Sequence, residues 1–150
     1  WHSCGKEDTK KLEKVQKRAL KIIYNVKDMS YKELLNLSNK KSLVSQRQMC
    51  ILEQMYKIVN KCALPLTPDF YEFRQLPYGM RDPNKFFQPK FNTTHYGFNS
   101  FKYQSTMLWN KIPYSIKQCE TLTNFKQALR SWNGLDCSCG SCFICNFENK

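Results

Sequence analysis

Long apolar runs are missing from this chain. No stretch approaches the roughly 20 residues that cross a bilayer, and the opening "WHSCGKEDTKK" lacks the apolar core of a signal peptide. Both absences predict an intracellular protein, in the nucleus or cytoplasm, with no membrane partner. Acids are scarce: 12 Asp and Glu stand against 24 Lys and Arg, for a net +12 over 150 residues. Asp8, Asp28, Asp69, Asp82 and Asp136 are each isolated, so no paired carboxylates stand ready to hold magnesium for phosphoryl transfer. Histidine is limited to His2 and His95, and neither has an acid and a nucleophile beside it. The five glycines are scattered and form no phosphate-cradling loop. These absences predict that the chain alone is not an enzyme.

What is present is positive charge and enough apolar surface to fold. Hydrophobic residues make up 41% and aromatics 14%, above the level of a disordered tail. Residues 1–62 carry 14 bases and 6 acids, residues 63–136 carry 9 and 5, and the last fourteen residues are neutral. A basic domain favours polyanions, RNA or DNA above all, although a lysine-rich solvated surface produces the same count. The chain starts on Trp1 rather than Met, as expected of a piece of a longer reading frame.

Hydrophobic periodicity predicts helices. Over residues 8–25, Leu12, Val15, Ala19, Ile22 and Ile23 recur at helical spacing and form the expected buried stripe, with Asp8 or Thr9 as the cap. Lys10, Lys14, Lys17 and Lys21 fall on the opposite face, with Lys11 and Arg18 flanking them. "SYKELL" contains an S-x-x-E capping box, Ser30 with Glu33, opening a short helix that buries Leu34 and Leu35. Ser42 caps a third helix over about residues 43–60. Its wide apolar arc includes Val44, Met49, Ile51, Leu52, Met55, Tyr56, Ile58 and Val59, with Arg47, Gln54 and Lys57 on the wet side. Pro65 and Pro68 end the helical part. "YEFRQL" and "KFFQPKF" then pair as a small hairpin around "PYGMRDPN". A helix resumes at Ser100, burying Phe101, Met107, Leu108 and Trp109, and stops at "KIP". A last helix starts with Thr123 as its cap and ends at Gly134.

Beyond that stop lies "CSCGSCFIC". Cys137, Cys139, Cys142 and Cys145 give C-x-C-x-x-C-x-x-C, two overlapping C-x-x-C pairs. In a reducing compartment clustered thiols point to a metal rather than to disulfides. Zinc takes four thiolates in a tetrahedron, and C-x-x-C is its usual half-site. Four ligands in nine residues is tight, and Cys119, or Cys4 with His2, would relax the site. An iron–sulfur cluster ranks below zinc because the ferredoxin run lacks its continuation. Free thiols on a tail are the remaining alternative.

Several segments together resemble a known family. "WHSCGK…KLEKVQKRALKIIYN…SYKELL" is similar to the stretch following the polymerase core in invertebrate non-LTR (LINE-type) retrotransposon reverse transcriptases. "MRDPNKFFQPKFNTTHYGFNSFKYQSTMLWNKIP" resembles the next part of those proteins, where a "PK" turn, a "YG-x-x-SF-x-Y" segment and an "LWN-x-[LI]P" motif follow in order. "NFKQALRSWNG" resembles their closing helix. The resemblance implies a parent polyprotein with an RNA-directed DNA polymerase and an endonuclease, whose catalytic motifs are absent here. It implies a C-terminal accessory region that holds template RNA or target DNA and adjoins the upstream polymerase domain. The tail departs from the family's C-x-x-C-x4-H-x4-C knuckle.

The expected architecture is therefore mainly α: a small helical domain with a short irregular β-hairpin and a cysteine-rich C-terminal tail. Its segments are a basic helical part (1–62), an aromatic hairpin with closing helices (63–134) and the tail (135–150). Phosphate contacts are expected from Lys10, Lys14, Lys17, Arg18 and Lys21, base stacking from Tyr96 and Phe98, and zinc on the four tail cysteines. A competing expectation is a structural module that docks on the polymerase core through the wide face of residues 43–60 and binds no nucleic acid; a degenerate copy without function is a third.

Overall fold

The computed structural model describes residues 5–62, 71–73, 85–132 and 134. Among them the chain is mainly helical: α1 (Lys6–Ile23), α2 (Tyr31–Leu37), α3 (Leu43–Val59), a π-helical turn (Thr94–Phe98), α4 (Phe101–Lys111), α5 (Tyr114–Lys117) and α6 (Leu122–Ser131). The chain divides into two units, and the boundary falls inside α3 between Arg47 and Gln48.

The ends of the helices follow from local chemistry. α1 starts earlier than its periodicity suggests: Gly5 is the N-cap, and neither Asp8 nor Thr9 caps it. Glu7 and Asp8 sit instead in the first turn, where carboxylates complement the helix dipole. The capping box at α2 is complete: Ser30 Oγ accepts from Glu33 N–H at 3.3 Å, and Glu33 Oε2 accepts from Ser30 N–H at 2.8 Å. Ser42 Oγ accepts the Ser45 N–H at the start of α3. Three helices end alike. After α1, Val26 N–H reaches Lys21 O and Asn25 N–H reaches Ile22 O; Lys40 and Asn39 repeat this after α2, and Cys62 and Lys61 after α3. These are Schellman motifs. They put Asn25, Asn39 and Lys61 at φ 50°, 51° and 55°, left-handed backbone that asparagine tolerates and lysine does not favour.

In the first unit, Leu20, Tyr31 and Leu34 form the core, with Val26, Met29 and Leu35 packed against it. Glu13 is also buried, at 1% exposure. Its carboxylate explains how three helices meet. Oε2 accepts the Tyr31 hydroxyl at the start of α2, and Oε1 accepts Val44 N–H in the first turn of α3 at 2.9 Å. Gln16, one turn on, lies 2.7 Å from the same hydroxyl. Gln16 Nε2 donates to Lys41 O at 3.5 Å, so its Oε1 faces the hydroxyl, whose single proton has two acceptors within reach.

In the second unit the arc of α3 is covered in part, with Met49, Ile58 and Val59 half-buried. Ile51, Leu52, Met55 and Tyr56 are buried with Leu108, Trp109, Ile112, Phe125 and Leu129. Tyr56 stacks on Phe125 at 4.4 Å, and its hydroxyl donates to Cys119 O at 2.6 Å. α6 begins at Leu122 with Thr121, not Thr123, as its cap. Phe101 is 43% exposed rather than buried, because it is the first residue of α4 and Ser100 takes the capping place beside it. Of the expected hairpin, the described residues show one antiparallel bridge, Phe73 with Phe86, while its residues 74–84 lie outside them. Asn110 Oδ1 accepts Phe86 N–H at 2.9 Å and its Nδ2 donates to Phe86 O at 3.0 Å, so a side chain of α4 satisfies the Phe86 peptide groups that face away from Phe73.

Candidate nucleic-acid interface

The orientation of α1 decides which residues are available. Its periodicity alone directs Leu12, Val15, Ala19, Ile22 and Ile23 inward, but the structure turns the helix by about a third of a revolution (each residue advances roughly 100°). The buried residues are Glu13 and Leu20; Val15 is 66% exposed, and Ile22 and Ile23 are each 71% exposed. The Glu13 hydrogen bonds to Tyr31 and Val44 supply a polar anchor on the buried side.

The expected phosphate contacts are redistributed by this rotation. Lys14 and Arg18 are exposed, with Lys11 beside them on the same arc. Among the described residues no carboxylate lies within ion-pair distance of Lys14 or Arg18, whereas Lys11 pairs with Asp8 at 3.2 Å. Lys10 pairs with Glu7 at 2.9 Å, and this hydrogen bond holds the Glu7 carboxyl below the usual carboxylate range. Lys17 is half-buried. Lys21 is half-buried too, and its Nζ donates to Lys27 O at 2.6 Å, bracing the turn after α1. The five residues therefore do not form one comb. Lys14 and Arg18 stand together, Lys10 is engaged with an acid, and Lys17 and Lys21 lie toward the packed side. Exposed pairs such as Lys10–Glu7 are screened by solvent, so a phosphate can displace the carboxylate at little cost.

In the second unit the segment "YGFNSFKY" makes an aromatic group. Phe91 meets Phe98 edge-on at 5.8 Å and Tyr103 edge-on at 4.6 Å, while Phe98 and Tyr103 lie 5.3 Å apart. Gly97 is required here, since a Cβ would overlap the Phe91 side chain. Ser100 Oγ caps α4 by accepting Tyr103 N–H at 3.3 Å. Gly97, Ser100 and Tyr103 thus serve the packing. Phe98 does so in part, at 36% exposure. Tyr96 is 80% exposed and presents its ring to solvent.

The tail cysteines Cys137, Cys139, Cys142 and Cys145, with Cys4 and His2, lie outside the described residues. Cys119 is half-buried, and Cys50 and Cys62 are exposed. Among the described residues no three His, Cys, Asp or Glu side chains converge on a metal-sized site. No described helix is long and apolar enough to cross a membrane. No protein-family model, curated protein or solved structure matches the chain.

Two features were not legible in the sequence. The burial of Glu13 depends on donors 18 and 31 residues away, and no local pattern announces it. The role of Asn110 had a fainter signal: an asparagine in the last turn of a helix, beside a buried tryptophan, where a solvated residue would do as well.

Proposed function

We propose that the chain is the non-catalytic, nucleic-acid-binding accessory region of a non-LTR retrotransposon reverse transcriptase, holding template RNA or target DNA. The observation that carries this reading is the exposed group Lys11, Lys14 and Arg18 on α1. It belongs to a unit whose residues 5–47 hold twelve bases and five acids, a balance of +7. Such an arc attracts phosphates without reading bases. The exposed Tyr96 ring supports a second contact, stacking on unpaired bases. The ordered motifs that resemble the reverse transcriptases supply the family.

The test is the salt dependence of binding to single-stranded RNA and DNA oligonucleotides. Replacing Lys14 and Arg18 with Gln removes two phosphate contacts and is expected to reduce the slope of log K against log salt by about 1.4, at about 0.7 per phosphate on single strands. Tyr96→Ala is expected to weaken single-strand binding by about 1–3 kcal/mol while leaving duplex binding in place. Unchanged slopes and affinities in both variants would overturn the reading.

A further inference from the structure

Leu12, Val15, Ala19 and Ile22 follow one another by three, four and three residues along α1. This is the a–d–a–d spacing of a helix that packs on another helix. In the structure this seam faces outward: Val15 and Ile22 are 66% and 71% exposed, Ile23 beside them is 71% exposed, Ala19 is exposed and Leu12 is half-buried. Lys11 and Arg18 occupy the positions just before Leu12 and Ala19, along one border of the seam, with Lys14 behind them.

We propose that this seam of α1 is a docking site for an amphipathic helix of another protein, one that carries an apolar ridge bordered by Asp or Glu. The geometry favours a helix over a flat surface. Four side chains at coiled-coil spacing make a narrow ridge that fits knobs into holes, whereas a membrane-bound helix presents a broad face with bulky anchors. Ala19 in the middle lets a partner backbone approach closely. The charge favours an acidic partner. Antiparallel self-pairing sets Lys11 against Arg18, and parallel self-pairing leaves both without a counter-charge. A partner with acids along its matching edge pairs with both. The proposal goes beyond the nucleic-acid reading and does not depend on it.

The probe is a synthetic helical peptide of about three heptads with Leu at a and d and Glu at e and g. Its own glutamates repel one another and keep it from self-pairing, so helicity gained on mixing reports binding to the full chain. A second peptide with Lys in place of Glu tests charge. Anionic phosphatidylserine vesicles test a membrane, and sedimentation velocity of the chain alone tests self-association. The expected result is binding of the Glu peptide, no binding of the Lys peptide, and a loss of about tenfold in affinity for Ile22→Ser. Ile22 is exposed, so its far-UV spectrum is expected to match the parent chain, and nucleic-acid affinity is expected to stay unchanged in it. Binding of both peptides alike, binding of vesicles but not of the Glu peptide, dimerisation through the seam, or no binding at all would each overturn the proposal.

Discussion

Removing the Glu13 carboxylate tests the arrangement of the first unit most directly. Glu13→Gln keeps the shape but supplies one acceptor where two are needed, and turns an NH2 toward either the Tyr31 hydroxyl or the Val44 N–H. A hydrogen bond to a charged acceptor contributes about 1.5–3 kcal/mol, and a buried donor left without a partner costs about 1–3 kcal/mol. Loss of one such contact should therefore lower stability by about 2 kcal/mol, and Glu13→Ala, which loses both, by about 3–4 kcal/mol. Urea unfolding followed by far-UV circular dichroism measures this, and the double-mutant cycle of Glu13→Gln with Tyr31→Phe isolates the shared contact. A coupling of about 1–2 kcal/mol is expected; additivity within about 0.5 kcal/mol would refute the network. Glu13→Leu is the sharper control, because a well-packed apolar residue sometimes replaces a buried ion without loss. Here it strands the Val44 N–H and leaves the Tyr31 hydroxyl only Gln16 as an acceptor, so a neutral outcome would also refute the reasoning. The same contact predicts an alkaline limit. Burial, then the hydrogen bond to Glu13 and its charge, raise the Tyr31 phenol above its ordinary value. A raised folded value means stability is fully present below about pH 10, the unfolded tyrosine range, and falls as pH rises beyond it. Tyr31→Phe should make that decline shallower, with Tyr71 and Tyr56, also raised chiefly by burial, supplying the remainder.

Lys61 offers a gain instead of a loss. It holds a left-handed conformation after α3, and Lys61→Gly is expected to stabilise the chain by about 0.5–1 kcal/mol in the same assay. For the tail, zinc on Cys137, Cys139, Cys142 and Cys145 is a proposal with a direct test. Chain purified without chelator should carry about one zinc, and changing Cys139 and Cys142 to Ser together should abolish it. Zinc retained in the double variant would move the site to other ligands.

The helices were largely legible because their signals are local. The capping box at Ser30, the Ser42 and Ser100 caps, and the core positions Leu108 and Trp109 all depend on residues a turn apart. The facing of α1 was not legible. Five apolar residues on one stripe predict burial, yet the carboxylate with two distant donors lies on the buried side and most of that stripe does not. Hydrophobic periodicity measures how an element sorts its own side chains and contains nothing about which polar partner lies elsewhere in the chain. The aromatic segment was harder for a related reason. Its alternation suggests strands, but the peptide groups of Phe86 are held by Asn110, a partner 24 residues away that no local pattern announces. For the candidate site, charge identified α1 as the basic element, while the rotation decided that Lys14 and Arg18 face solvent and Lys17 and Lys21 face the packed side.

That asparagine has a consequence for how this part of the chain tolerates change. Asn110 holds both peptide groups of Phe86 from α4 and so fixes Phe86 against Trp109. Asn110→Ala should free both Phe86 peptide groups and disturb the Trp109 core. In this unit, one side chain gives a residue 24 positions away a fixed place on the core beneath it.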